Sequence, residues 1–266
     1  MEIFLGIDVG STTSKAVLID NNEKIISYSV VRNSYDLAQS GAKALNMALN
    51  RCGISKSRIS YAVSTGYGRR IINFQNEAFP EIICHAIGTI KIVPTCRTII
   101  DIGGQDSKII ELDEKGNCKK FQMNDKCAAG TGRYLDKLAT EILHVGVEQL
   151  GEISLKSKNP LALSAQCTVF AESEIISYLS HGEKIEDIIA GMHRSLVRRV
   201  LDIGKSAFIK FEKDIVFTGG VAKNIGVVAA LEQSLGQKII VPTEPQLTAA
   251  LGAALIAKRN FYLKTK

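Results

Sequence analysis

A loop that combines glycine, hydroxyl side chains, a lysine and an aspartate lies close to the N-terminus. Residues 8–15 read Asp-Val-Gly-Ser-Thr-Thr-Ser-Lys. The glycine lets backbone N–H groups approach a polyphosphate, the hydroxyls donate hydrogen bonds, and the lysine offsets negative charge. The carboxylate of Asp8 can hold a hydrated Mg²⁺ ion. The groups of this loop that could contact phosphate are those of Gly10, Ser11, Thr12, Thr13, Ser14 and Lys15.

Two further glycine turns strengthen the interpretation of that loop as a nucleotide site. An Asp-x-Gly turn alone is common in β-hairpins. Here residues 101–105 (Asp-Ile-Gly-Gly-Gln) offer a second phosphate contact with a carboxylate, and residues 218–222 (Thr-Gly-Gly-Val-Ala) offer a turn where an adenosine could lie. The residues predicted to bind nucleotide or Mg²⁺ in these turns are Asp101, Gly103, Gly104, Gln105, Gly219, Gly220 and Val221.

The first two glycine loops belong to an internal repeat. Residues 8–20 return as residues 101–113 and share Asp, Gly, Ser, Lys and the final Asp in register. Each copy predicts a β-hairpin, because a β-branched strand enters a tight glycine turn and a second strand leaves it. The predicted strands are 3–9 with 14–19, and 98–102 with 107–112. A duplication of this kind predicts two related lobes.

Helices are predicted between and after these hairpins from the apolar periodicity. The predicted helices are 37–52, 131–142, 169–180, 187–211, 226–235 and 247–256, and further strands are predicted from 214 and at 238–241. The last helix is rich in small residues, which favours close packing between lobes. Alternating strands and helices indicate an α/β fold. We expect a first lobe at 1–96, completed by 246–266, and a second lobe at 97–245.

Composition excludes several classes of protein. The 266 residues are 45% hydrophobic and 23% charged, which is typical of a folded globular chain. No apolar run approaches the roughly 18 residues of a membrane helix, and the N-terminus has no basic leader, so we expect a cytoplasmic protein without a membrane partner. The formal charge is +6, but lysine and arginine do not cluster, which disfavours nucleic-acid binding.

The three glycine turns resemble those of the actin, heat-shock-70 and sugar-kinase superfamily over essentially the whole chain. The resemblance implies two duplicated actin-like, ribonuclease H-like lobes around an ATP cleft. It further implies that residues 11–15 hold phosphates, that Asp8 and Asp101 hold Mg²⁺ through water, and that Gly219 and Gly220 face the adenosine. A P-loop fold is disfavoured because no Gly-x-x-x-x-Gly-Lys-Ser/Thr motif is present.

Two glutamines have predicted roles at this nucleotide site. Hydrolysis needs a water in line with the γ-phosphate, and the amide of Gln105 can orient one. With Asp8 and Asp101, Gln105 completes the predicted catalytic set. Gln246, which precedes the last helix, is assigned to the nucleotide mainly by the resemblance.

Two of the six cysteines share a placement just before a predicted helix. These are Cys127 and Cys167. A helix N-terminus stabilises a thiolate or an anionic cluster, and the small residues 128–130 give a bulky inorganic group access. The residues alone leave inert packing and ligation as alternatives. The other cysteines, Cys52, Cys84, Cys96 and Cys118, lack this placement, and Cys-x-x-Cys pairs are absent.

Residues 124–133 (Asn-Asp-Lys-Cys-Ala-Ala-Gly-Thr-Gly-Arg) and 167–174 (Cys-Thr-Val-Phe-Ala-Glu-Ser-Glu) resemble signatures of the activators of 2-hydroxyacyl-CoA dehydratases, relatives of the ATPase subunits of benzoyl-CoA reductase. The resemblance covers the whole chain. It implies one [4Fe-4S] cluster per homodimer, to which each subunit gives Cys127 and Cys167. Residues 63–69 and 84–86 also resemble family segments, without an assigned chemistry.

The resemblance implies an ATPase that uses ATP, Mg²⁺ and the cluster to pass single low-potential electrons from ferredoxin or flavodoxin to a dehydratase. One alternative keeps this chemistry but serves a double-cubane-cluster reductase or a benzoyl-CoA reductase type of acceptor. A sugar or amino-sugar kinase would instead use Asp106 or Asp125 as a base, and a chaperone-like or filament module would bind ATP without needing the cysteines.

Other candidate residues receive a structural interpretation. Cys84 and His85 could suggest a mononuclear metal site, but adjacent side chains on a helix or strand point apart. His181 and His193 lie beside charged residues, so we expect both on the surface.

Overall fold

The computed structural model describes residues 2–124, 131–163 and 168–265. The chain forms two compact units. The first unit comprises Met1–Arg97, Leu112–Lys119 and Thr243–Lys266, and the second comprises Thr98–Glu111 and Lys120–Pro242. Cys127 and Cys167 lie outside the described residues, as does Asp125.

The first unit contains a five-stranded sheet with the order β3-β2-β1-β4-β5. Its central strand β1 is buried along its whole length and has an almost continuous apolar sequence, as expected of a strand covered on both faces. β2 pairs with it antiparallel and β4 pairs with it parallel. The strands are β1 (Ile3–Val9), β2 (Thr13–Ile19), β3 (Ile25–Arg32), β4 (Ile59–Thr65) and β5 (Glu77–Ala78).

The second unit contains a five-stranded sheet with the order β10-β9-β6-β7-β8. Its central strand β6 pairs antiparallel with β7 and parallel with β9. Taken from the other edge, this is the order of the first sheet with equivalent pairings, so the predicted duplication is confirmed by strand topology. The strands are β6 (Thr98–Ile102), β7 (Ser107–Leu112), β8 (Cys118–Asn124), β9 (Ile215–Thr218) and β10 (Ile239–Ile240).

Eight α-helices are assigned along the described parts of the chain. A π-helical turn, Leu138–Leu143, continues α3, and a 3₁₀ turn, Gly220–Lys223, follows β9. The helices are α1 (Leu37–Cys52), α2 (Glu81–Ile92), α3 (Gly132–Lys137), α4 (Leu150–Ser154), α5 (Thr168–Ser180), α6 (Ile185–Ser206), α7 (Ile225–Leu235) and α8 (Thr248–Lys264).

The predicted helix 187–211 was wrong at its C-terminal end. α6 ends at Ser206, and Phe208 has a φ of 54°, a left-handed conformation that an α-helix cannot continue. The predicted surface position of His193 was also wrong. His193 is 1% exposed on the apolar face of α6, which packs into the core of the second unit. Its charged neighbours in sequence lie on other faces of the same helix.

The small residues of α8 serve packing within the first unit. A Cβ on Gly252 would lie 1.9 Å from the carbonyl oxygen of Cys84 in α2, and one on Gly6 of β1 would lie 1.9 Å from the carbonyl oxygen of Ala250. The backbones of α8, α2 and β1 therefore approach one another closely. These contacts join elements of one unit, and packing of this helix between lobes stays a prediction. In the described part of the chain, no helix has the length and hydropathy to cross a membrane.

Candidate nucleotide site

The first glycine loop places Asp8 opposite Lys15 at the turn end of the β1–β2 hairpin. The two residues are register partners, and Lys15 Nζ donates to Asp8 Oδ2 at 2.9 Å. Asp8 is 7% exposed. The pair lies beside the turn formed by residues 10–13, where the N–H of Gly10 donates to the carbonyl of Thr13. A buried carboxylate and a lysine thus lie beside a glycine turn, which is the combination predicted for a Mg²⁺–polyphosphate ligand.

Asn33 fixes the shape of this turn, and sequence reasoning missed it. Its Nδ2 donates to the carbonyl of Gly10 at 2.8 Å, and its Oδ1 accepts from Ser14 Oγ at 2.8 Å. Its backbone N–H donates to the carbonyl of Thr12 at 2.9 Å. The available signal was an Asn immediately after β3, since an amide is the side chain that can both donate to and accept from a neighbouring turn.

Residues 63–69, which resembled a family segment without an assigned role, pack against the Asp8 loop. Gly66 has a φ of 87°, and a Cβ there would lie 2.3 Å from Asp8 Oδ1. The N–H of Gly68 donates to the carbonyl of Val9 at 2.8 Å. Only a glycine at position 66 leaves space beside the carboxylate, so this segment is part of the site.

The second glycine loop holds Asp101 by both carboxylate oxygens. Oδ1 accepts from Thr218 Oγ1 at 2.7 Å, and Oδ2 lies 3.3 Å from Lys108 Nζ. Lys108 also donates to Asp106 Oδ2 at 2.7 Å. Asp101 and Lys108 are each 3% exposed. The repeat thus preserves the Asp–Lys pair, but the second copy is more completely hydrogen-bonded.

The third glycine turn follows β9 and packs on the second loop. Gly219 has a φ of 87°, and a Cβ there would lie 2.3 Å from the carbonyl oxygen of Ile102. Gly220 begins the 3₁₀ turn that contains Val221. In register, Thr218 pairs with Asp101 as Thr65 pairs with Asp8. Residues 65–66 and 218–219 are therefore structural counterparts, a relation that the sequence repeat did not indicate.

The two counterpart threonines act differently. Thr218 donates to Asp101, whereas Thr65 Oγ1 donates to the carbonyl of Phe79 at 3.0 Å. Among the described residues, Lys15 is therefore the hydrogen-bond donor to the side chain of Asp8, through Oδ2. Asp8 keeps an oxygen able to accept from a water or an ion, while Asp101 is oriented by its neighbours.

The start of α3 is bonded to the second glycine loop. The N–H of Gly132 donates to the carbonyl of Gly103 at 2.8 Å, and that of Arg133 donates to the carbonyl of Gly104 at 2.9 Å. With the Gln105 amide oriented so that its oxygen faces the guanidinium, Oε1 accepts from Arg133 Nη1 at 2.6 Å and from Nη2 at 3.2 Å. The predicted water-orienting residue and the helix start thus form one group.

Two buried hydroxyls in these loops have no hydrogen-bond partner in the described part of the chain. They are Thr12 Oγ1 in the first loop and Ser107 Oγ at the start of β7. Buried hydroxyls are ordinarily satisfied. The orphan hydroxyl of Thr12 fits the polyphosphate chemistry predicted for this loop. Gln246 lies in the first unit, two residues before α8 begins.

The described cysteines do not form a metal site. Cys84 and Cys96 are buried, and Cys52 and Cys118 are half-buried. Burial raises the pKa of the Cys84 thiol to about 12. Across residues 2–124, 131–163 and 168–265, no three His, Cys, Asp or Glu side chains gather as a metal site would require. α5 begins at Thr168, directly after Cys167, and α3 begins five residues after Cys127.

The fold and the paired Asp–Lys loops define the class of protein, an ATPase of the actin-like fold. A ROK family glucokinase from Streptomyces griseus shares this fold with a TM-score of 0.56 at 13% identity, over 97% of this chain and 99% of that one. More specifically, the chain belongs to the BadF/BadG/BcrA/BcrD ATPase family, whose profile matches residues 5–257.

Relatives within this family match the chain over nearly its full length. It is 46% identical over 253 residues to the 2-hydroxyisocaproyl-CoA dehydratase activator of Clostridioides difficile, covering 95% of this chain and 94% of that protein. It is 46% identical over 258 residues to the (R)-2-hydroxyglutaryl-CoA dehydratase activating ATPase of Acidaminococcus fermentans, covering 96% and 97%. A benzoyl-CoA reductase subunit of Thauera aromatica is 30% identical over 265 residues, covering 96% and 93%.

A solved structure of such an activator superposes closely. The activator of the 2-hydroxyisocaproyl-CoA dehydratase from Clostridium difficile, solved with bound ADPNP, gives a TM-score of 0.93 at 43% identity and covers 99% of this chain and 97% of that one. The family resemblance and the actin-like fold that the sequence predicted are both confirmed.

Proposed function

We propose that this ATPase activates a 2-hydroxyacyl-CoA dehydratase by passing it single low-potential electrons received from ferredoxin or flavodoxin. The observation that carries the proposal is the 46% identity, over at least 94% of both chains, with two proteins named as dehydratase activators. Identity over the full length supports a common activity more strongly than a shared fold does.

For the nucleotide, the proposal assigns the two glycine loops to the phosphates. Residues 10–15 bind phosphate oxygens through backbone N–H groups and hydroxyls, supported by the unpartnered hydroxyl of Thr12. Asp8 and Asp101 hold Mg²⁺ through water. Gly219, Gly220 and Val221 bind the adenosine, and Gln246 contributes to the same nucleotide. Gln105 orients the water that attacks the γ-phosphorus.

For the redox group, the proposal assigns Cys127 and Cys167 as ligands. Thiolates are the usual ligands of iron–sulfur clusters, and two per chain give the four that a cubane needs only in a symmetric dimer. When bound, a [4Fe-4S] cluster supplies one-electron transfer at low potential. Burial raises the pKa of the Cys84 thiol to about 12, which disfavours Cys84 as a ligand.

The hydrogen bonds at the start of α3 support coupling between the nucleotide and the cysteines. The second glycine loop is tied to Gly132 and Arg133 through backbone hydrogen bonds of 2.8 and 2.9 Å. The residues that directly precede them, 125–130, include Cys127. We propose that ATP binding and hydrolysis bias the helices that begin near Cys127 and Cys167, and that these helices are the two-state element.

The same chemistry directed at another acceptor is the alternative that one comparison favours. The 30% identity to a benzoyl-CoA reductase subunit supports a reductase-type partner, but this identity is lower than that to the dehydratase activators. A kinase activity has less support, because Asp106, one of its two candidate bases, binds Lys108 at 2.7 Å.

The test is anaerobic purification followed by iron, sulfide and activity assays. We expect about four iron and four sulfide per dimer, Mg²⁺-dependent ATP hydrolysis, and ATP-dependent activation of a purified 2-hydroxyacyl-CoA dehydratase with reduced ferredoxin. Cys127→Ser and Cys167→Ser should each lose the iron and the activation while retaining nucleotide binding. Cys52→Ser is the matched control and should retain all three.

The outcomes separate the parts of the proposal. An iron-free protein that still hydrolyses ATP contradicts the electron-transfer role. If the iron-containing protein activates only a benzoyl-CoA reductase type of enzyme, the acceptor is that reductase and not a dehydratase. Phosphorylation of a sugar by iron-free protein establishes the kinase alternative.

A further inference from the structure

Both terminal nitrogens of the Arg133 guanidinium donate hydrogen bonds to the side-chain amide oxygen of Gln105. The distances to Oε1 are 2.6 Å from Nη1 and 3.2 Å from Nη2. An sp² oxygen has two lone pairs, and this fork fills both of them. Arg133 is otherwise an exposed residue at the second position of α3. The contact therefore costs Gln105 its capacity to accept a hydrogen bond.

Gln105 can orient the attacking water only if its side-chain oxygen is free to accept a hydrogen bond. In hydrolysis the water oxygen forms a bond to the γ-phosphorus, the bond from that phosphorus to the bridging oxygen breaks, and ADP leaves. The water proton ends on the released phosphate. A glutamine aligns the water by accepting one of its hydrogens at Oε1. With Arg133 in place, Oε1 of Gln105 has no lone pair left for a water, so the arrangement does not support attack.

The guanidinium is well placed to exchange partners. Its described contacts are with Gln105 and, through the backbone, Gly104, and none of these is a carboxylate. A neutral amide oxygen is a weaker partner for arginine than a phosphate, which it binds with two parallel, charge-assisted hydrogen bonds. The backbone bond from Arg133 to Gly104 keeps the side chain beside the second glycine loop in either state.

We propose that Arg133 is a positioning residue that holds Gln105 inactive until the γ-phosphate of ATP draws the guanidinium away and frees Oε1. In the ATP complex the guanidinium is shared between Oε1 and the γ-phosphate, so Oε1 is free for only part of the time and Arg133 lowers kcat. The inference rests on the proposed role of Gln105 in the ATPase reaction and adds the group that controls it.

The test is steady-state Mg-ATPase kinetics of the anaerobically purified protein without a partner enzyme. Arg133→Met removes the fork, so kcat should rise about fivefold, and the loss of a phosphate contact should raise KM for ATP by a similar factor. Arg133→Lys keeps the charge without the fork, so kcat should rise while KM stays near the wild-type value. A merely structural role would lower kcat in both variants.

Epistasis with Gln105 makes the test specific. Gln105→Ala should lower kcat at least tenfold with little change in nucleotide affinity, and Gln105→Ala/Arg133→Met should be as slow as Gln105→Ala alone. Arg194→Met is the matched control, because Arg194 donates to Gln233 Oε1 at 3.2 Å on the surface of the same unit. Its kcat and KM should equal the wild-type values, and thermal melting should show that all variants fold.

Two results overturn the inference. If folded Arg133→Met has an unchanged or lower kcat, Arg133 does not restrain Gln105. If Gln105→Ala hydrolyses ATP like the wild type, the water-orienting role fails and the inference fails with it. Iron content and dehydratase activation are measured on the same wild-type preparation. If only the restraint by Arg133 is wrong, iron content and dehydratase activation are still as proposed. If the proposed function is wrong, these two measurements themselves fail.

Discussion

At the residue scale, the two repeat aspartates occupy equivalent positions but have different surroundings. Asp101 is oriented by Thr218 and Lys108, while the side chain of Asp8 is bonded by Lys15 and faces Gly66. The difference arises because the counterpart threonine of the first unit donates to Phe79 instead. The two copies of the motif thus hold their carboxylates differently, because Asp101 is contacted at both oxygens and Asp8 accepts the Lys15 hydrogen bond at Oδ2.

Asn33 provides a first prediction at this scale. Asn33→Ala removes two hydrogen bonds of 2.8 Å that hold the first glycine loop. Because the loop would lose its preformed shape, we expect KM for ATP and the Kd of a non-hydrolysable analogue to rise about tenfold. Isothermal titration calorimetry measures the affinity. The exposed Asn50→Ala on α1 is the control, and equal affinities of the two variants would contradict the role of Asn33.

His193 gives a pH-dependent prediction. Asn224 caps α7 with its Oδ1, so its Nδ2 is left to donate to His193 Nε2 at 3.1 Å. Burial lowers the pKa of His193 from 6.5 to about 4. The unfolded chain therefore binds a proton that the folded chain does not between these values. The contribution of His193 to the free energy of unfolding is fully present above pH 6.5. It falls by about 3 kcal/mol as the pH drops to 4.

The measurement is urea unfolding at pH 7 and pH 4. His193→Gln preserves an acceptor for Asn224 but has no titrating group, so it should lose about 3 kcal/mol less than the wild type across this range. His181→Gln alters an exposed histidine and should follow the wild type. Parallel pH profiles of the wild type and His193→Gln would show that His193 does not carry this dependence.

Cys84 gives a prediction about reactivity. Burial is the largest cause of its pKa of about 12 and outweighs the hydrogen bond with Thr65. Relative to an ordinary thiol at the reference value of 9.0, its thiolate fraction at pH 8 is about a thousandfold lower. Iodoacetamide should therefore modify the half-buried Cys52 well before Cys84 in folded protein, and both in urea. Peptide mass spectrometry distinguishes them, and equal native rates would contradict the burial of Cys84.

At the element scale, α8 is held by close backbone contacts within the first unit. Gly252 approaches Cys84 of α2, and Gly88 of α2 approaches Thr248, and a Cβ added at either glycine would lie only 1.9 Å from a carbonyl oxygen. Helix propensity alone would favour alanine over glycine at these positions by about 1 kcal/mol. The steric contact is decisive here, because a rigid backbone atom occupies the space.

Gly252→Ala tests this packing. We expect it to lower the free energy of unfolding by at least about 2 kcal/mol, because overpacking outweighs the gain in propensity. Arg259→Ala on the exposed face of the same helix is the control and should change stability by less than about 0.5 kcal/mol. Denaturant unfolding measures both. A neutral or stabilising Gly252→Ala would contradict the close approach of α2 and α8.

At the scale of the whole molecule, the proposed redox site depends on a second copy of the chain. Two cysteines per chain complete a four-thiolate site only in a dimer. We expect sedimentation analysis of anaerobic protein to give a dimer with about four iron, and the Cys127→Ser variant to lose the iron. An iron-containing monomer would contradict the shared site, and Cys118→Ser is the control that should keep both iron and dimer.

The sequence by itself determined the duplicated hairpins, the α/β class and the family. These features are local or repeated: an Asp-x-Gly turn between β-branched strands has one favourable geometry, and two copies of it imply two related units. Helix α1 was predicted at 37–52 with the bounds that the structure has. Local patterns of this kind survive because no distant contact opposes them.

The tertiary structure alone decided which distant residues join those loops. Asn33 donates to Gly10, which lies 23 residues away in sequence, and Thr218 donates to Asp101, which lies 117 residues away. Gly66 lies in the turn after a parallel strand and approaches Asp8 there. Periodicity could not reveal that α8 contacts α2, because this contact depends on which elements pack together. The Arg133–Gln105 contact has the same origin, since the helix start and the glycine loop meet only in the folded unit.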